Sequence, residues 1–424
     1  MKKVGVLTLG CKVNLYESEY ICDVLENAGY IIGNFTDICD VYIINTCTVT
    51  NTSDVKSRKM IRKAIRNNPN ACVVVMGCFI EANKDYQEDG VDIIIGNKDK
   101  SKIVELLAEY FTKKEIITRL YKNIDTNFED MFITNFKDRT RAFVKIQDGC
   151  ENFCSYCIIP YVRGKRRSKD FNKVIEEITT LVNNNYQEIV LTGIHTGSYG
   201  VDIESSFSEL LSSIVKIKGL KRLRISSIEI TELNDEVLTI IKNNKVIVDH
   251  LHIPLQAGSN KILKLMRRKY DLAYYEAKIK EIRNIRGDIA ITTDIIVGHP
   301  GEGDIDFQNT MDFSKKIEFA KIHVFPYSPR KNTLAASMEN QVADATKKIR
   351  AKTLIKLSKE LEIKYFTKFL NKEVDVLIEE VKDGCSYGHT SNFIHVKINK
   401  ILPSNTFIKV VLKEVTYPYV EGVV

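Results

Sequence analysis

Short, continuous apolar runs recur along the first three quarters of the chain, and they restrict its fold more than any other feature. In the first region they are VGVLTLG (4–10), VYIINT (41–46), CVVVMG (72–77) and VDIIIG (91–96). Continuous runs rich in β-branched residues are typical of strands buried on both faces of a parallel sheet. Helical stretches separate these runs, such as residues 15–29, which end in a glycine. The pattern predicts an open, doubly wound α/β domain.

A second alternating series follows a polar segment. Its six strand candidates are residues 143–147, 188–192, 222–227, 247–254, 291–297 and 321–326. The helical stretches between them lie near residues 172–185, 206–217, 233–243, 273–286 and 304–317. Six β/α units in succession predict a partial barrel, whose active site belongs at the carboxyl ends of the strands.

The pattern changes again toward the end of the chain. Residues 343–370 predict one long amphipathic helix rich in lysine, and the residues after it predict short strands separated by turns, as in a small β-barrel. We therefore expect an N-terminal domain, a linker, a partial barrel with the long helix, and a β-barrel. Their predicted bounds are residues 1–121, 122–138, 139–370 and 371–424.

Composition indicates the cellular compartment and the kind of partner to expect. It has 424 residues, ten cysteines and no apolar stretch near the ~20 residues that cross a bilayer. The start, MKKVGVLTLGCKVN, is typical of a first strand and not of a signal peptide. We expect a cytoplasmic protein with no membrane partner, whose reduced cysteines serve metal or redox chemistry. The net charge of +7 fits a nucleic-acid partner without requiring one.

Three cysteines, Cys150, Cys154 and Cys157, lie within the loop GCENFCSYCIIPYVRG that follows a predicted strand. Structural zinc usually takes four protein ligands, and no fourth cysteine or histidine lies nearby in the sequence. A 4Fe–4S cluster held by three thiolates keeps one iron free, which can chelate S-adenosylmethionine. The alternatives are three buried thiols, or zinc with a remote fourth ligand.

Cys11, Cys47 and Cys78 form a second set, because each directly follows a buried strand of the first domain. Neighbouring strands are ~4.8 Å apart, so three such strand ends can converge on one small cluster. Cys72 begins the strand that Cys78 follows, which places it ~20 Å away. We interpret Cys72 as an ordinary thiol, together with Cys22, Cys39 and Cys385. Coincidence remains an alternative for this set, since cysteine is common in protein cores.

The three-cysteine loop resembles the signature of the radical S-adenosylmethionine superfamily, whose fold is a partial (β/α)6 barrel. Two such sets in this order are similar to the methylthiotransferase family, with a TRAM-type β-barrel at the C-terminus. The matching segments are LGCKVNLYES (9–18), TCTVTNTSDVKSRKMIR (46–62), QDGCENFCSYCIIPYVRGKRRS (147–168), VLTGIHTGSYG (190–200), HIPLQAGSNKIL (252–263), DIIVGHPGE (294–302) and FPYSPRKNT (325–333). GCKVN and TGIHTGSYG most resemble the branch that modifies threonylcarbamoyladenosine in tRNA; the isopentenyladenosine branch typically has GCQMN.

This resemblance implies a cytoplasmic enzyme with two 4Fe–4S clusters and S-adenosylmethionine. One S-adenosylmethionine would yield the radical that abstracts hydrogen from carbon 2 of N6-threonylcarbamoyladenosine at position 37, in the anticodon stem-loop of tRNA. Another would methylate sulfur held at the cluster of Cys11, Cys47 and Cys78. A low-potential donor such as flavodoxin or ferredoxin would supply electrons. The alternatives are the same chemistry on isopentenyladenosine or a ribosomal protein, and an iron–sulfur electron carrier or RNA-binding regulator without radical catalysis.

The resemblance also suggests cofactor contacts near the barrel rim. Tyr156 corresponds to the family's side chain near the adenine of the cofactor. The other candidates lie at or just past strand ends, and are Gly193, Ser226, Ser227, Glu229 and Gln256. Hydrogen bonding within the rim is the alternative for each. We expect the nearby His195, His252 and His299 to be structural.

Two basic runs follow the cysteine sets closely. In KSRKMIRKAIR (56–66), Arg58, Arg62 and Arg66 share one helix face, and RGKRRSK (163–169) contains Arg163, Arg166 and Arg167. Such runs are usually solvated surface. Their position beside the proposed clusters favours contact with RNA phosphates instead. The predicted C-terminal barrel is slightly acidic, so any role of its own in RNA binding would need a local basic patch.

Overall fold

The computed structural model describes residues 1–121, 127–136 and 140–424. The N-terminal region contains ten regular elements: β1 (Lys3–Thr8), α1 (Lys12–Asn27), β2 (Ile31–Gly33), β3 (Val41–Thr46), α2 (Asn51–Asn67), β4 (Cys72–Gly77), α3 (Cys78–Ala82), β5 (Ile93–Ile95), α4 (Ile103–Lys113) and β6 (Ile117–Arg119). All six strands pair in parallel, in the order β2-β1-β3-β4-β5-β6. This is the predicted open α/β sheet.

The strands of this sheet are apolar throughout because helices cover both of its faces. Along β3, Tyr42 and Ile44 pack on the face that contains Ile61 of α2. Val41 and Ile43 point to the opposite face, where α1 and α4 pack. Successive side chains of a strand alternate between faces, so a strand covered twice must be apolar throughout. The short edge strands β2 and β6 were not predicted, because three residues carry too little pattern to detect.

The middle region follows the predicted alternation. Its elements are β7 (Arg141–Lys145), β8 (Gln147–Asp148), α5 (Ile159–Arg163), β9 (Arg167–Ser168), α6 (Phe171–Asn183), β10 (Glu188–Thr192), α7 (Phe207–Ile214), β11 (Arg222–Ile225), α8 (Asp235–Asn243), β12 (His250–His252), α9 (Asn260–Leu265), α10 (Leu272–Ile285), β13 (Ala290–Val297), α11 (Asp304–Ile317), β14 (Lys321–Pro326) and α12 (Asp344–Thr367). Parallel pairing gives the strand orders β11-β10-β7 and β12-β13-β14. Bridges from Leu223 to Ile247 and from Ser227 to His252 join the two halves. Six parallel strands therefore form a partial barrel, although β12 is shorter than predicted because Pro254 cannot donate to a ladder.

The last region is a closed β-barrel, as predicted, and it has five strands. The strands are β15 (Glu373–Lys382), β16 (Cys385–Thr390), β17 (His395–Ile398), β18 (Phe407–Thr416) and β19 (Tyr419–Val423), in the order β15-β16-β17-β19-β18. This barrel covers the amino ends of the partial-barrel strands. Arg222, the first residue of β11, donates to the carbonyl oxygens of His389 and Asp375 at 2.9 and 2.7 Å. Phe393 lies beside the guanidinium groups of Arg141 and Arg224, 5.5 and 4.6 Å from its ring centroid.

The predicted linker, residues 122–138, lies partly outside the described residues, namely at 122–126 and 137–138. Its described part is not a loose polar connection, because Met131, Ile133 and Phe136 are buried in the core of the partial barrel. Among the helices that the structure describes, none combines the length and apolar character required to cross a membrane.

The N-terminal domain contacts the opposite end of the partial barrel through a buried ionic network. Arg163, fully buried at the end of α5, donates to Glu17 of α1 at 3.1 Å and to both carboxylate oxygens of Asp148 at 3.0 Å. Glu17 also accepts from Lys100 and from Lys145, the latter at 2.9 Å. Burial acts to raise the pKa of Glu17, but Arg163, Lys100 and Lys145 hold this pKa well below its ordinary value. Glu17 is therefore ionised and fully paired.

Replacement of Glu17 by glutamine should destabilise the protein by about 3–5 kcal/mol, because it leaves the buried Lys100 without a carboxylate and leaves Arg163 and Lys145 with Asp148 alone. The measurement is denaturant unfolding of the apoprotein. Glu88→Gln is the matched control, because Glu88 pairs at 3.0 Å with the exposed Arg62. Loss of such a surface pair should cost at most about 1 kcal/mol. If both substitutions lowered the free energy of unfolding equally, the buried network would have no special role in stability.

Candidate functional site

Cys11, Cys47 and Cys78 lie together at the carboxyl ends of three adjacent strands. Cys11 caps α1 after β1, Cys47 directly follows β3, and Cys78 is the first residue of α3 after β4. The spatial order β1-β3-β4 makes these strand ends neighbours. Each thiol is close enough to another member of the set for their charges to interact. The structure therefore brings these three cysteines, hereafter the N-terminal trio, to neighbouring strand ends.

Close packing and polar contacts shape the N-terminal trio. Gly10 has φ +101°, and a Cβ atom there would lie 2.9 Å from the Cys47 sulfur, so a side chain has no room. The side-chain amide of Asn97 donates to the Cys78 sulfur at 3.5 Å and to the carbonyl oxygen of Val162 at 2.8 Å. Burial raises the pKa of Cys47 to about 11. It also raises the pKa of Cys11, against which the charge of Arg163 acts.

Cys150, Cys154 and Cys157, hereafter the barrel trio, lie in the loop between β8 and α5 at the carboxyl end of the partial barrel. The backbone N–H of Cys150 donates to Gly164 at 3.0 Å, and that of Cys157 donates to Cys154 at 3.0 Å. These bonds fold the loop back on itself and turn the three thiols toward one region. Gly149 has φ +75°, and a Cβ atom there would meet the Lys165 carbonyl oxygen at 1.9 Å. The loop therefore requires glycine immediately before its first cysteine.

Each trio has one buried arginine beside it. Arg268 donates from Nη1 to the Cys154 sulfur at 3.3 Å and from Nη2 to Glu229. Burial raises the pKa of Cys154, and the charge of Arg268 opposes that rise. Burial raises the pKa of Cys157 to about 12. Arg163 has the same relation to the N-terminal trio, since its charge interacts with Cys11 and Cys78.

The donor chemistry of both trios fits iron–sulfur clusters. Across residues 1–121, 127–136 and 140–424, no three Cys, His, Asp or Glu side chains converge closely enough to bind one metal ion. A single zinc ion needs every thiolate within about 2.3 Å of it. A 4Fe–4S cube places each thiolate on a different iron and so accepts wider spacing. Each trio could hold such a cube, with the nearby arginine offsetting its negative charge.

The two trios belong to one interface. Cys78 packs with Ile158 and Val162, which flank and form part of α5 directly after the barrel trio. A cavity of about 200 Å³ lies beside this contact, between the loop that follows Cys47 and the rim of the partial barrel. Its lining residues are Val49, Thr50, Tyr156, Cys157, Ile158, Ile159, Gln256, Asp294, Ile296, Phe325, Pro326, Tyr327 and Ser328. Two of the predicted cofactor contacts, Tyr156 and Gln256, thus share a cavity with Cys157.

The other predicted cofactor contacts are dispersed along the rim. Glu229 lines a different cavity of about 370 Å³, together with Cys154, His195 and Arg268. Ser226 is buried and shares a hydrogen bond of 3.2 Å with Thr196, whereas Ser227 is exposed. Gly193 packs against Gln147, where a Cβ atom would lie 3.1 Å away. The structure therefore brings Tyr156 and Gln256 together, and places the remaining candidates elsewhere on the rim.

Two of the six arginines predicted to bind RNA are buried, and the prediction is wrong for them. Arg163 is 0% exposed within the ionic network, and Arg167 is 4% exposed, donating to the carbonyl oxygens of Arg163 and Lys165. Their guanidinium groups donate to these internal partners and do not face solvent. Arg58 and Arg166 are half-buried, and Arg62 and Arg66 are exposed. Arg62 pairs with Glu88 and Arg166 with Glu151, at 3.0 and 2.9 Å.

Sequence reasoning missed polar residues that lie beside the trios in space. Arg268, Asn97 and Lys12 were not predicted, and Lys12 was passed over although it directly follows Cys11. Desolvation lowers the pKa of Lys12 to about 8, and repulsion from Arg224 and Arg141 adds to this. For these three residues the sequence contained one signal, namely that Lys12 directly follows Cys11.

Comparisons with known proteins agree with this arrangement. Residues 144–314 match the model of the Radical SAM superfamily, and residues 3–96 match that of Uncharacterized protein family UPF0004. The structure resembles the radical S-adenosylmethionine methyltransferase TsrM from Kitasatospora setae, with TM-score 0.56 and 14% identity over 79% of this chain and 75% of that one, which shows the fold alone. The barrel and its three-cysteine loop thus define a radical S-adenosylmethionine enzyme.

Relatives along the full length make the class more specific. The chain is 41% identical to Threonylcarbamoyladenosine tRNA methylthiotransferase MtaB of Bacillus subtilis, over 100% of this chain and 96% of the relative. It is 39% identical to the protein of the same name from Thermotoga maritima, over 93% and 91%. It is 35% identical to tRNA-2-methylthio-N(6)-dimethylallyladenosine synthase of Thermoanaerobacter pseudethanolicus, over 93% and 85%. The chain belongs to the radical S-adenosylmethionine methylthiotransferase family, and it uses two 4Fe–4S clusters and S-adenosylmethionine.

Replacement of Arg268 by glutamine should lower the reduction potential of the cluster nearest Cys154, because it removes the positive charge that favours electron uptake. Release of 5′-deoxyadenosine should slow roughly 10- to 100-fold, the equivalent of one hydrogen bond to a charged group. A redox titration followed by electron paramagnetic resonance measures the potential. Lys264→Gln is the control, since Lys264 is an exposed cation on the neighbouring helix α9. An unchanged potential in the Arg268 variant would contradict this electrostatic role.

Proposed function

We propose that this protein transfers a methylthio group to carbon 2 of N6-threonylcarbamoyladenosine at position 37 of tRNA. The observation that carries the proposal is the interface between the two cysteine sites, in which Cys78 of the N-terminal trio packs on Ile158 and Val162, directly after the barrel trio. Transfer of sulfur to a carbon activated by the radical requires both sites to reach one atom. An electron carrier would need no such shared cavity and no substrate pocket.

The proposed ligands follow from the two trios. Cys150, Cys154 and Cys157 would hold the cluster that binds S-adenosylmethionine, and Cys11, Cys47 and Cys78 would hold the cluster that presents sulfur. When bound, these groups supply hydrogen abstraction from carbon 2 of the adenine and a methylated sulfur to replace that hydrogen. Three protein ligands at each cluster leave one iron available to the cofactor or to sulfur.

Side chains of the protein itself can position the substrate and the cofactor for this chemistry. Tyr156 and Gln256 line the cavity beside Cys157, where a ring and a polar side chain can position a base or a cofactor. Gln256 is held by backbone bonds of 2.8 and 2.9 Å to Asp294 and Ile296. Its φ of +69° is a conformation that non-glycine residues adopt at a cost. Such a strained residue, fixed from both sides, is typical of a functional position.

The relatives support threonylcarbamoyl as the N6 substituent of the substrate. Those at 41% and 39% identity are named for threonylcarbamoyladenosine, and the one at 35% for dimethylallyladenosine. Because the relatives with higher identity are named for threonylcarbamoyladenosine, we assign this nucleoside as the substrate. A low-potential donor such as flavodoxin or ferredoxin would reduce the clusters, and the cytoplasm would supply both the donor and tRNA.

The test is mass spectrometry of nucleosides from tRNA incubated with the reconstituted protein, S-adenosylmethionine and dithionite. We expect the 2-methylthio derivative of N6-threonylcarbamoyladenosine. Cys47→Ser should abolish this product but still release 5′-deoxyadenosine, and Cys154→Ser should abolish both. Cys385→Ser, which changes a thiol of the C-terminal barrel, should preserve both. A product formed on dimethylallyladenosine instead would refute the substrate assignment, and loss of both activities in Cys385→Ser would discredit the cysteine series.

Arg58 and Arg66 on α2 are the proposed RNA contacts with the fewest internal partners. Neither forms an ion pair within the described ranges; Arg58 lies 5.5 Å from the ring centroid of Phe79. Changing both to glutamine should weaken tRNA binding and reduce the slope of log K against log salt by about 1 for each lost phosphate contact. Filter binding over a salt series measures this, with Lys218→Gln on the outside of the barrel as control. Unchanged affinity and slope would show that this face of α2 does not touch RNA.

A further inference from the structure

The long helix α12 carries a row of cations that the proposed chemistry does not use. Four exposed lysines, spaced by four and three residues, lie on one face of the helix, hereafter the lysine face: Lys348, Lys352, Lys356 and Lys359. A step of four residues advances about 6 Å along a helix axis. None of the four forms an ion pair with the part of the chain that the structure describes. The lysine face is therefore a line of positive charges without anionic partners there.

Acidic side chains near the lysine face are already paired with other cations. The side chain of Glu362 is 8% exposed, lies 2.9 Å from Lys321 and accepts from the Tyr417 hydroxyl at 3.2 Å. Asp344 pairs with Lys347 at 3.0 Å. Like charges three or four residues apart destabilise a helix. The lysine face therefore lowers the stability of the free protein, and an anionic partner would relieve the repulsion.

α12 begins beside the reaction chamber and leads away from it. Near its start, Lys347 Nζ lies 5.5 Å from the ring centroid of Tyr327, which lines the cavity beside Cys157. Farther along, the hydroxyl of Ser358 accepts from the backbone N–H of Ile322, near the start of β14, at 2.9 Å. α12 therefore runs antiparallel to β14, from the carboxyl end of the partial barrel to its amino end. The lysine face covers about 17 Å of this path.

The end of the lysine face farthest from the chamber borders a groove of about 840 Å³. The groove lies between α12, the start of β14 and the C-terminal barrel, and Lys352, Lys356 and Lys359 line it. Lys359 Nζ lies 4.6 Å from the ring centroid of Tyr417, which is 39% exposed. An open groove with several ammonium groups in a line matches a nucleic-acid backbone, because phosphate charges also repeat along a line.

A membrane surface fits this helix less well than RNA. Helices that lie on membranes insert an apolar face into the lipid. The apolar face of α12 is instead buried in the protein, where Leu354, Leu357 and Leu361 belong to the core of the partial barrel. By contrast tRNA, the substrate of the proposed reaction, is a polyanion far too large for the chamber, so its stem must lie on an outer surface.

We propose that the lysine face of α12 binds the phosphate backbone of the anticodon stem while the target adenosine occupies the chamber. This inference rests on the proposed function for its substrate, tRNA, and adds the surface along which the stem lies. Phosphate contacts position an RNA and carry no sequence information. The lysine face would therefore orient the stem, and selection of the modified base would be left to the chamber.

The test compares tRNA binding by two reconstituted variants that each lose four positive charges. In the first, glutamine replaces the four residues of the lysine face. In the matched control, glutamine replaces four other exposed lysines that form no ion pair among the described residues, namely Lys216, Lys218, Lys242 and Lys245. Filter binding over a salt series measures the affinity for full-length tRNA and for an isolated anticodon stem-loop RNA.

The lysine-face variant should bind both RNAs more weakly, and the control should bind them like the wild-type protein. The slope of log K against log salt should decrease by about 3–4, since each duplex phosphate contact contributes about 0.9. The advantage of the wild-type protein over the variant should consequently shrink roughly 100-fold between about 50 and 200 mM salt. RNAs with and without the N6 substituent should be affected by the same factor, because a phosphate contact does not involve the base.

Denaturant unfolding separates a loss of binding from a loss of folding. The lysine-face variant should unfold at the same or a higher denaturant concentration, because it loses repulsion along the helix. Unfolding at a lower concentration would count against the inference, because the lysines would then support the fold.

Unchanged affinity and salt slope would overturn the inference, and so would equal losses in the control variant. Weakening confined to full-length tRNA would overturn the assignment to the anticodon stem. Binding to phosphatidylglycerol vesicles that requires the four lysines, with tRNA binding unchanged, would assign the face to a membrane surface instead. Failure of the proposed function is distinguishable, since the wild-type protein would then form no 2-methylthio product, whereas the binding comparison requires no turnover.

Discussion

The buried ionic network around Arg163 determines how the two halves of the catalytic chamber meet. Arg163 belongs to the helix that follows the barrel trio, and it bonds Glu17 and Asn14 of α1 at 3.1 and 2.7 Å. Asn14 in turn donates to the carbonyl oxygens of Leu9 and Thr46, next to Cys11 and Cys47. A displaced interface would leave several buried charges unpaired, so one docking arrangement is strongly preferred. The network therefore specifies orientation, and with it the relation between the two trios.

The arginines also explain how thiols so well buried can serve as ligands. Cys47 and Cys157 are neutral in the absence of iron, because burial raises the pKa of both far above neutrality. Ligation requires thiolates, and a cluster with several thiolates is negative in a region of low dielectric constant. Arg163 and Arg268 supply a fixed positive charge at each site. Each cluster site is thus assembled from two parts of the chain, the cysteines from one loop or sheet edge and the compensating charge from another element.

Much of this molecule could be predicted from local patterns. Continuous apolar runs placed the strands of both α/β regions, and the rule that parallel strands align their carboxyl ends brought Cys11, Cys47 and Cys78 together before any coordinates. The same reasoning could not show that Arg163 and Arg167 are internal. A basic run appears identical in sequence whether its partners are water, RNA or buried carboxylates, and Glu17 lies far from Arg163 along the chain. Arg268 escaped notice for the same reason, because its partners Cys154 and Glu229 lie far from it along the chain.

The C-terminal barrel closes the lower end of the partial barrel with Phe393, whose ring stacks on His250 at a centroid distance of 5.1 Å and lies 4.6 Å from Arg224. This aromatic floor covers the amino ends of the barrel strands, at the end opposite the two trios. The walls and the floor come from separate regions of the chain. Exchange of a floor residue would alter one end of the barrel while the iron-binding rim stayed as it is, so the two ends can diversify independently.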